Sequence, residues 1–195
     1  MISFATLGVL RFVLRFCWEM IAMIRWQRIQ SVLDSLCYNF GEFEVDHFVL
    51  HLEHLRGRSI VRVSYDFDPS LTGLWIPAET ADYIFYTRFT HPIHQVHIML
   101  HEIAHMVLGH PCKRIDQIVP PSLLNTFKLS DKFLGRRSDD AETDFDEQEA
   151  EAFVYLIQRR IVAAKRFSQL TQGQSSIEGL NRFTDSLGLM KQSEP

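Results

Sequence analysis

The chain has few of the features that would place it in several common classes of protein. Its three cysteines are odd in number and widely spaced, so they predict neither a disulfide framework nor a cysteine-rich zinc site, and they favour a reducing, cytoplasmic location. The net charge of −4 provides no basic surface, and we therefore expect no direct binding to nucleic acid. The length of 195 residues and the hydrophobic content of 46% predict one domain with a proper core.

A long uninterrupted apolar run is also missing, although residues 1–10 are mostly apolar. Arginines follow before the roughly 20 apolar residues that a membrane-spanning helix requires. A signal peptide would carry its charge ahead of the apolar stretch. We therefore expect an amphipathic N-terminal segment over residues 1–27, without stable membrane insertion, and a single domain over residues 28–195. A chain that begins at Met20 or Met23 is the alternative to such a segment.

The chain does contain one short motif with a defined chemistry, His101-Glu102-Ile103-Ala104-His105. On a helix, its two histidines lie one turn apart and point to the same side, where they can hold one Zn²⁺. Glu102 then sits beside the metal and can take a proton from zinc-bound water. This combination is the core of a zinc peptidase.

The flanking sequence independently predicts a helix at this motif. Pro92 is typical of a first helical turn, and Gly109 and Pro111 are typical of a helix end. Apolar residues recur between these limits at helical spacing and predict a buried stripe. The stripe consists of Val96, Leu100, Ile103, Ala104 and Val107.

A tetrahedral zinc site of this kind needs one more protein ligand and leaves the fourth position to water. A second helix is predicted from Asp146 onwards by another apolar stripe. Glu147 and Glu151 lie four residues apart on it and share a face, so one could bind zinc while the other accepts a hydrogen bond from the free ring nitrogen of a ligand histidine. The alternative is that these acids only favour the helix N-terminus electrostatically. Cys112 could also serve as a soft ligand. The apolar stripe consists of Ala150, Phe153, Val154, Ile157 and Ile161.

Three short strands are predicted ahead of the motif helix, over residues 59–67, 73–77 and 82–87. We therefore expect an α+β fold in which a small antiparallel or mixed sheet of three strands packs on the motif helix and a helical C-terminal half follows. The connection over residues 111–145 is polar in its second part and is expected to be a solvated, flexible loop. The tail is expected to form a short helix over residues 175–189.

Other polar side chains are weaker candidates. His94 and His97 extend the histidine stripe of the motif helix, and we expect them to flank the cleft or pack on the sheet rather than bind a second metal. A helix predicted over residues 42–56 carries a similar stripe, interpreted as half-exposed histidines without a metal: His47, His51 and His54. An oxyanion stabiliser is also expected. The sequence does not choose among its three candidates, Tyr83, Tyr86 and His110.

Taken together, the motifs resemble the ImmA/IrrE family of metallopeptidases. That family carries H-E-x-x-H and a later helix with the pattern E-x-E-A-N-x-F-A, which supplies the third zinc ligand. The resemblance covers about residues 59–160 and implies a zincin-like fold in which His101, His105 and Glu147 bind zinc and Glu102 is the general base. It is carried by Ile84-Phe85-Tyr86, His94-Gln95, the stretch from His101 to His110, and Glu147-x-Glu149-Ala150-x-x-Phe153.

The second motif departs from the family pattern at two positions. Glu151 stands where the family has Asn, and Val154 stands where it has Ala. The first departure changes the expected partner of a ligand histidine. Glu149 stays open as a fallback for Glu147, since the register rests on this short match.

The same resemblance implies an intracellular zinc endopeptidase of narrow specificity, in which zinc-bound water attacks a peptide bond. Its substrate would be a transcriptional repressor of the helix-turn-helix type. As in zinc peptidases generally, an edge strand beside the metal would pair with the extended polypeptide. The alternative is a non-catalytic regulator that keeps the metal fold and binds a repressor or a toxin–antitoxin partner. The intact Glu102 favours the enzyme, since a binding module has no use for a base beside the metal.

Overall fold

A computed structural model of the chain describes Met20 and residues 23–66, 71–111 and 140–172. Its helices are α1 over residues 23–35, α2 (Val45–Arg56), α3 (Pro92–Leu108) and α4 (Asp140–Gln172), and its strands are β1 (Ser59–Tyr65), β2 (Gly73–Pro77) and β3 (Ala81–Thr87). A short 3₁₀ helix, Phe40–Glu42, precedes α2. The expected α+β class is therefore confirmed. No helix within the described ranges is long and apolar enough to cross a membrane.

Several features expected from the sequence lie outside the described residues. They are the apolar start of the N-terminal segment, Cys112, most of the connection between α3 and α4, and the helix expected over residues 175–189. The domain boundary expected after residue 27 stays a prediction, and α1 continues through that position without a break.

The three described strands form a mixed sheet in the order β1-β3-β2, one of the two arrangements predicted. β1 and β3 run parallel, whereas β2 runs antiparallel to β3 with Trp75 opposite Ile84. β3 lies in the middle of the sheet, and its neighbouring residues Ile84 and Phe85 are both fully buried. Since successive side chains of a strand point to opposite faces, both faces of the sheet are covered at this point. β1 and β2 are the edge strands of this sheet.

Local sequence signals set both ends of α3, as predicted. His91 caps the start, where its Nδ1 accepts a hydrogen bond from the Ile93 N–H at 3.3 Å, and Pro92 follows in the first turn. Gly109 ends the helix with a φ of 71°, a left-handed conformation that favours glycine. The helix packs on β2 and β3. Its buried residues include Leu100, Ile103 and Ala104 of the predicted stripe, together with Ile98, Met99 and Met106.

A buried carboxylate ties β3 to the end of α2. Asp82 is 1% exposed, and its Oδ2 accepts hydrogen bonds from Arg56 Nη2 at 3.0 Å and from Arg58 Nε at 3.1 Å. Its Oδ1 accepts a hydrogen bond from Trp75 Nε1 at 3.2 Å. Arg58 also donates to the main-chain oxygen of Ala81 at 2.9 Å, so the same group of side chains holds the turn between β2 and β3.

Two helix boundaries differ from the prediction. α2 begins three residues later, because the Asn39 side chain accepts a hydrogen bond from the Gly41 N–H at 3.0 Å and holds a separate 3₁₀ turn ahead of it. α4 begins at Asp140. The prediction of a loop that extends to residue 145 is therefore wrong for residues 140–145. Acidic residues are stabilising near a helix N-terminus. A polar, acidic composition is therefore as suitable for the first turns of an exposed helix as for a loop.

The described residues belong to two compact units. The first contains residues 23–38, 44–66, 71–111 and 140–156, and with them the whole sheet. The second contains residues 39–43 and 157–172, and in it the guanidinium carbon of Arg160 lies 5.6 Å from the centre of the Phe40 ring.

Candidate metal centre

Three side chains from α3 and α4 converge within the first compact unit. The Nε2 atoms of His101 and His105 lie 3.1 Å apart. Oε2 of Glu147 lies 3.0 Å from His101 Nε2, and Oε1 of Glu147 lies 3.7 Å from His105 Nε2. One donor atom from each residue lies within 4.8 Å of the other two, so this group could hold a metal ion.

The separations of these donor atoms match the size of a tetrahedral zinc site. With zinc–nitrogen and zinc–oxygen bonds of about 2.0–2.1 Å, neighbouring ligand atoms are about 3.3–3.4 Å apart. The two Nε2 atoms are 3.1 Å apart, and the distances from Glu147 are 3.0 Å from Oε2 to His101 and 3.7 Å from Oε1 to His105. These values lie on either side of the tetrahedral spacing, although the two Glu147 distances belong to different oxygens of one carboxylate. Two imidazoles and one carboxylate are also a donor set that catalytic zinc accepts. The residues present could therefore hold a metal ion, and zinc is compatible with their chemistry.

The second ring nitrogen of His101 has a carboxylate partner. His101 Nδ1 lies 3.0 Å from Glu151 Oε1, and the same oxygen lies 3.4 Å from His97 Nε2. A carboxylate in this position fixes the ring orientation and the tautomer that offers Nε2 to a metal. Glu147 and Glu151 thus occupy the two positions that their shared helix face predicted, one among the donor atoms and one behind a histidine.

The second ring nitrogen of His105 faces another histidine instead. His105 Nδ1 lies 3.0 Å from His110 Nδ1, and His110 Nε2 lies 3.2 Å from Glu149 Oε2. Arg28 of α1 donates a hydrogen bond to the same Glu149 oxygen at 2.9 Å. Glu149, the fallback ligand, is therefore engaged behind the donor cluster, and Glu147 is the glutamate that joins the two histidines.

Glu102 borders a pocket next to the donor cluster. The pocket has a volume of about 320 Å³. His94 and His97 line it and therefore flank the cleft, as expected. Its full lining consists of Leu71, Thr72, Gly73, His94, His97, Ile98, His101, Glu102, Glu147 and Glu151. The expected base and two of the expected ligands thus share one cavity with the β2 strand.

The three side chains considered for oxyanion stabilisation do not line this pocket. His110 lies behind His105, on the side away from the donor nitrogen. Tyr83 and Tyr86 belong to β3, the central strand. The oxyanion stabiliser therefore stays a prediction that the lining of this pocket does not assign to a residue.

Gly73 has no special role in the sequence pattern, yet it sets the distance between β2 and Glu102. A Cβ atom at this position would lie 2.7 Å from Glu102 Oε1 and 2.5 Å from Ile98 Cγ2, well inside the usual separation of non-bonded atoms. Glycine thus lets the backbone of an edge strand approach the motif helix closely. An isolated glycine at the start of a strand is the only signal that the sequence offers for this contact.

The surrounding charges change the proton affinity of two histidines. Burial lowers the pKa of His101, but the hydrogen bond with Glu147 and the nearby carboxylates, including Glu102, outweigh it and leave this pKa above its usual value. At His110 burial prevails, and its pKa lies below the usual value despite the hydrogen bond with Glu149. Protons therefore compete with a metal for His101 at a higher pH than they would for an ordinary histidine.

Comparisons of this chain with models of protein families, with curated proteins and with solved structures give no match.

Proposed function

We propose that this chain is a zinc-dependent endopeptidase of narrow specificity with a zincin-like fold. The observation that carries the proposal is the meeting of His101, His105 and Glu147 donor atoms within 4.8 Å of one another, beside a pocket that Glu102 also lines. Three protein ligands with an adjoining cavity are typical of catalytic zinc, whereas structural zinc sites are usually closed by four protein ligands.

The proposed mechanism assigns a separate task to each of these side chains. When bound, zinc would supply a Lewis acid that lowers the pKa of water and polarises a peptide carbonyl. His101, His105 and Glu147 would hold the ion, and Glu151 would keep the His101 ring in the tautomer that presents Nε2. Glu102 accepts a proton from the attacking water and passes it to the departing amine.

The proposed substrate is a polypeptide bound in extended form along β2. This strand is an edge of the sheet, and its Gly73 lines the pocket together with the preceding residues Leu71 and Thr72. An extended peptide can add to such an edge through main-chain hydrogen bonds. The backbone of Gly73 also lies next to Glu102, so a peptide on this edge would run past the base. A helix-turn-helix repressor is the substrate that the family resemblance implies, and a reducing cytoplasm is the proposed location.

Metal removal tests the proposed activity directly. The purified chain is incubated with a helix-turn-helix repressor from the same cell, and fragments are measured by mass spectrometry. We expect a strong chelator to abolish cleavage, because the ion is required for attack, and stoichiometric zinc to restore it. His105→Gln serves as the matched control and should stay inactive after zinc addition. Tight repressor binding without fragments, with or without zinc, would contradict the peptidase and support a non-catalytic regulator.

Gly73→Ala should reduce peptide cleavage without weakening zinc binding. The added Cβ would lie 2.5 Å from Ile98 Cγ2 and 2.7 Å from Glu102 Oε1, so it would push the Ile98 side chain, the Glu102 carboxylate or the β2 backbone out of place. None of the three donor residues supplies one of its nearest contacts. A displacement of about 1 Å from the reacting geometry can lower kcat/KM by about 100-fold. The measurement is kcat/KM with the zinc-loaded variant, alongside zinc affinity.

Ser64→Ala is the control for this change, since Ser64 is an exposed residue of β1, the opposite edge strand. It should leave both quantities unaltered. A Gly73→Ala variant with the kcat/KM of the unmodified protein would argue against peptide binding along β2.

A further inference from the structure

The backbone at the end of α3 places His110 directly behind His105. Gly109 turns the chain with a φ of 71°, and the His110 N–H then donates to the main-chain oxygen of His105 at 3.0 Å. This turn brings the two rings together with their Nδ1 atoms 3.0 Å apart. Both side chains are buried at this contact, with His105 8% and His110 5% exposed.

A hydrogen bond between two imidazole nitrogens needs one donor and one acceptor. If His105 binds a metal through Nε2 as a neutral ring, its remaining proton is on Nδ1. His110 Nδ1 must then be the acceptor, which leaves the proton of His110 on Nε2. That nitrogen lies 3.2 Å from Glu149 Oε2 and donates to it. The ring protons of His105 and His110 then each have an acceptor.

Two arginines of α1 hold Glu149, the last member of this series of hydrogen bonds. Glu149 is buried, and its Oε2 accepts from Arg28 Nη1 at 2.9 Å, while Arg25 Nε lies 3.6 Å from its Oε1. Arg28 Nη2 also donates to the main-chain oxygen of Leu108 at 2.7 Å, the last residue of α3. The carboxylate is thus held in a defined place by two arginine side chains, and the Oε2 that accepts from Arg28 also faces His110 Nε2.

The two ligand histidines therefore differ in the group that contacts their Nδ1 atom. His101 has a direct carboxylate partner, Glu151, whose side chain is 56% exposed. His105 has a buried imidazole, and the carboxylate behind that imidazole is only 6% exposed. A buried, fully paired series of polar groups holds geometry more firmly than an exposed one, because leaving any member unpaired is costly.

We infer that His110 is a positioning residue: it selects the Nδ1-protonated tautomer of His105, so that Nε2 faces the metal, and it is itself held by Glu149 and Arg28. This inference rests on the proposed zinc site. His110 would not touch substrate and would act only through the His105 ring.

The experiment compares zinc affinity and the tautomer of His105 in three variants and in one control variant. His110→Phe removes the acceptor and should weaken zinc binding by about 10- to 100-fold, as is typical when the partner of a ligand histidine is lost. His110→Asn can put its Oδ1 close to the former Nδ1, and it should restore most of the affinity. Arg28→Met should give a smaller loss of zinc affinity. Because the Arg28 side chain is 51% exposed, this variant tests the same series of contacts without a change in the buried core. His54→Phe, on the exposed face of α2, should have no effect.

Affinity is measured by competition with a chromophoric chelator, and the tautomer by ¹⁵N NMR of the metal-free protein. Unmodified protein is expected to carry the His105 proton on Nδ1, and His110→Phe is expected to show a mixture. Equal zinc affinities in the unmodified, Phe and Asn proteins would overturn the role of His110 while leaving the zinc site intact. A His105 proton on Nε2 in the unmodified protein would overturn it as well. Failure of the unmodified protein to bind zinc would overturn the proposed function, and the inference with it.

Discussion

Glu102→Gln is expected to lower kcat/KM for peptide cleavage by about 10²- to 10⁴-fold, the usual contribution of a general base. The amide keeps the size of the side chain beside Gly73 but cannot accept a proton. Zinc binding should persist, because the three donor atoms belong to other residues. The measurement pairs kcat/KM with zinc affinity at a pH above the pKa of His101, where loss of the Glu102 charge does not alter the protonation of that ring.

Glu79→Gln is the matched control for this substitution. Glu79 is an exposed glutamate in the turn between β2 and β3, and the same chemical change there should leave both quantities unaltered. If Glu102→Gln cleaves as fast as the unmodified protein, Glu102 is not the base. If the variant also restores the cellular phenotype of a deletion strain in full, catalysis is not the function, and the binding regulator becomes the better account.

Asp82→Asn is expected to destabilise the folded chain strongly. It leaves Arg56 and Arg58 facing a neutral amide in a place where the carboxylate is 1% exposed. Breaking a buried ion pair costs about 3–5 kcal/mol. The two arginine side chains are about one-third exposed (33% and 28%) and can recover some hydration, so we expect a loss of about 2–4 kcal/mol in the free energy of unfolding.

For a chain of this length, that loss corresponds to a Tm lower by about 4–16 °C, which calorimetry or circular dichroism can measure. Asp46→Asn is the control, because Asp46 forms an ion pair with Arg62 in which its own side chain is 72% exposed. That change should cost less than about 1 kcal/mol. Equal losses at the two positions would contradict the structural role given to the buried carboxylate.

The sequence was sufficient to predict α3 because the signals for this helix are local. Pro92 and Gly109 act on the turns in which they lie, and the two motif histidines share a face by helical spacing alone. The three strands were predictable for the same reason, since their alternation and the intervening turn are short-range features. The mixed order β1-β3-β2 required the structure, because pairing between strands depends on contacts that are distant along the chain.

The outer parts of the site were not predictable from local patterns. The position of His110 depends on the left-handed turn at Gly109, and its partner Glu149 is fixed by Arg28 from the other end of the chain. The role of Gly73 depends on how closely a strand approaches a helix, which has no periodic signature. Glu151 is the intermediate case: its shared face with Glu147 predicted a partner for a ligand histidine, and only the structure identifies that ring as His101.

Because the donor atoms come from both α3 and α4, an ion held by all of them would also act as a cross-link. It would close a loop of about 40 residues, and closing a loop of that length is opposed mainly by chain entropy. If zinc binds only the folded chain, the free energy of unfolding would increase as the concentration of free zinc increases. Metal supply would then govern how long the protein survives proteolysis as well as how fast it works.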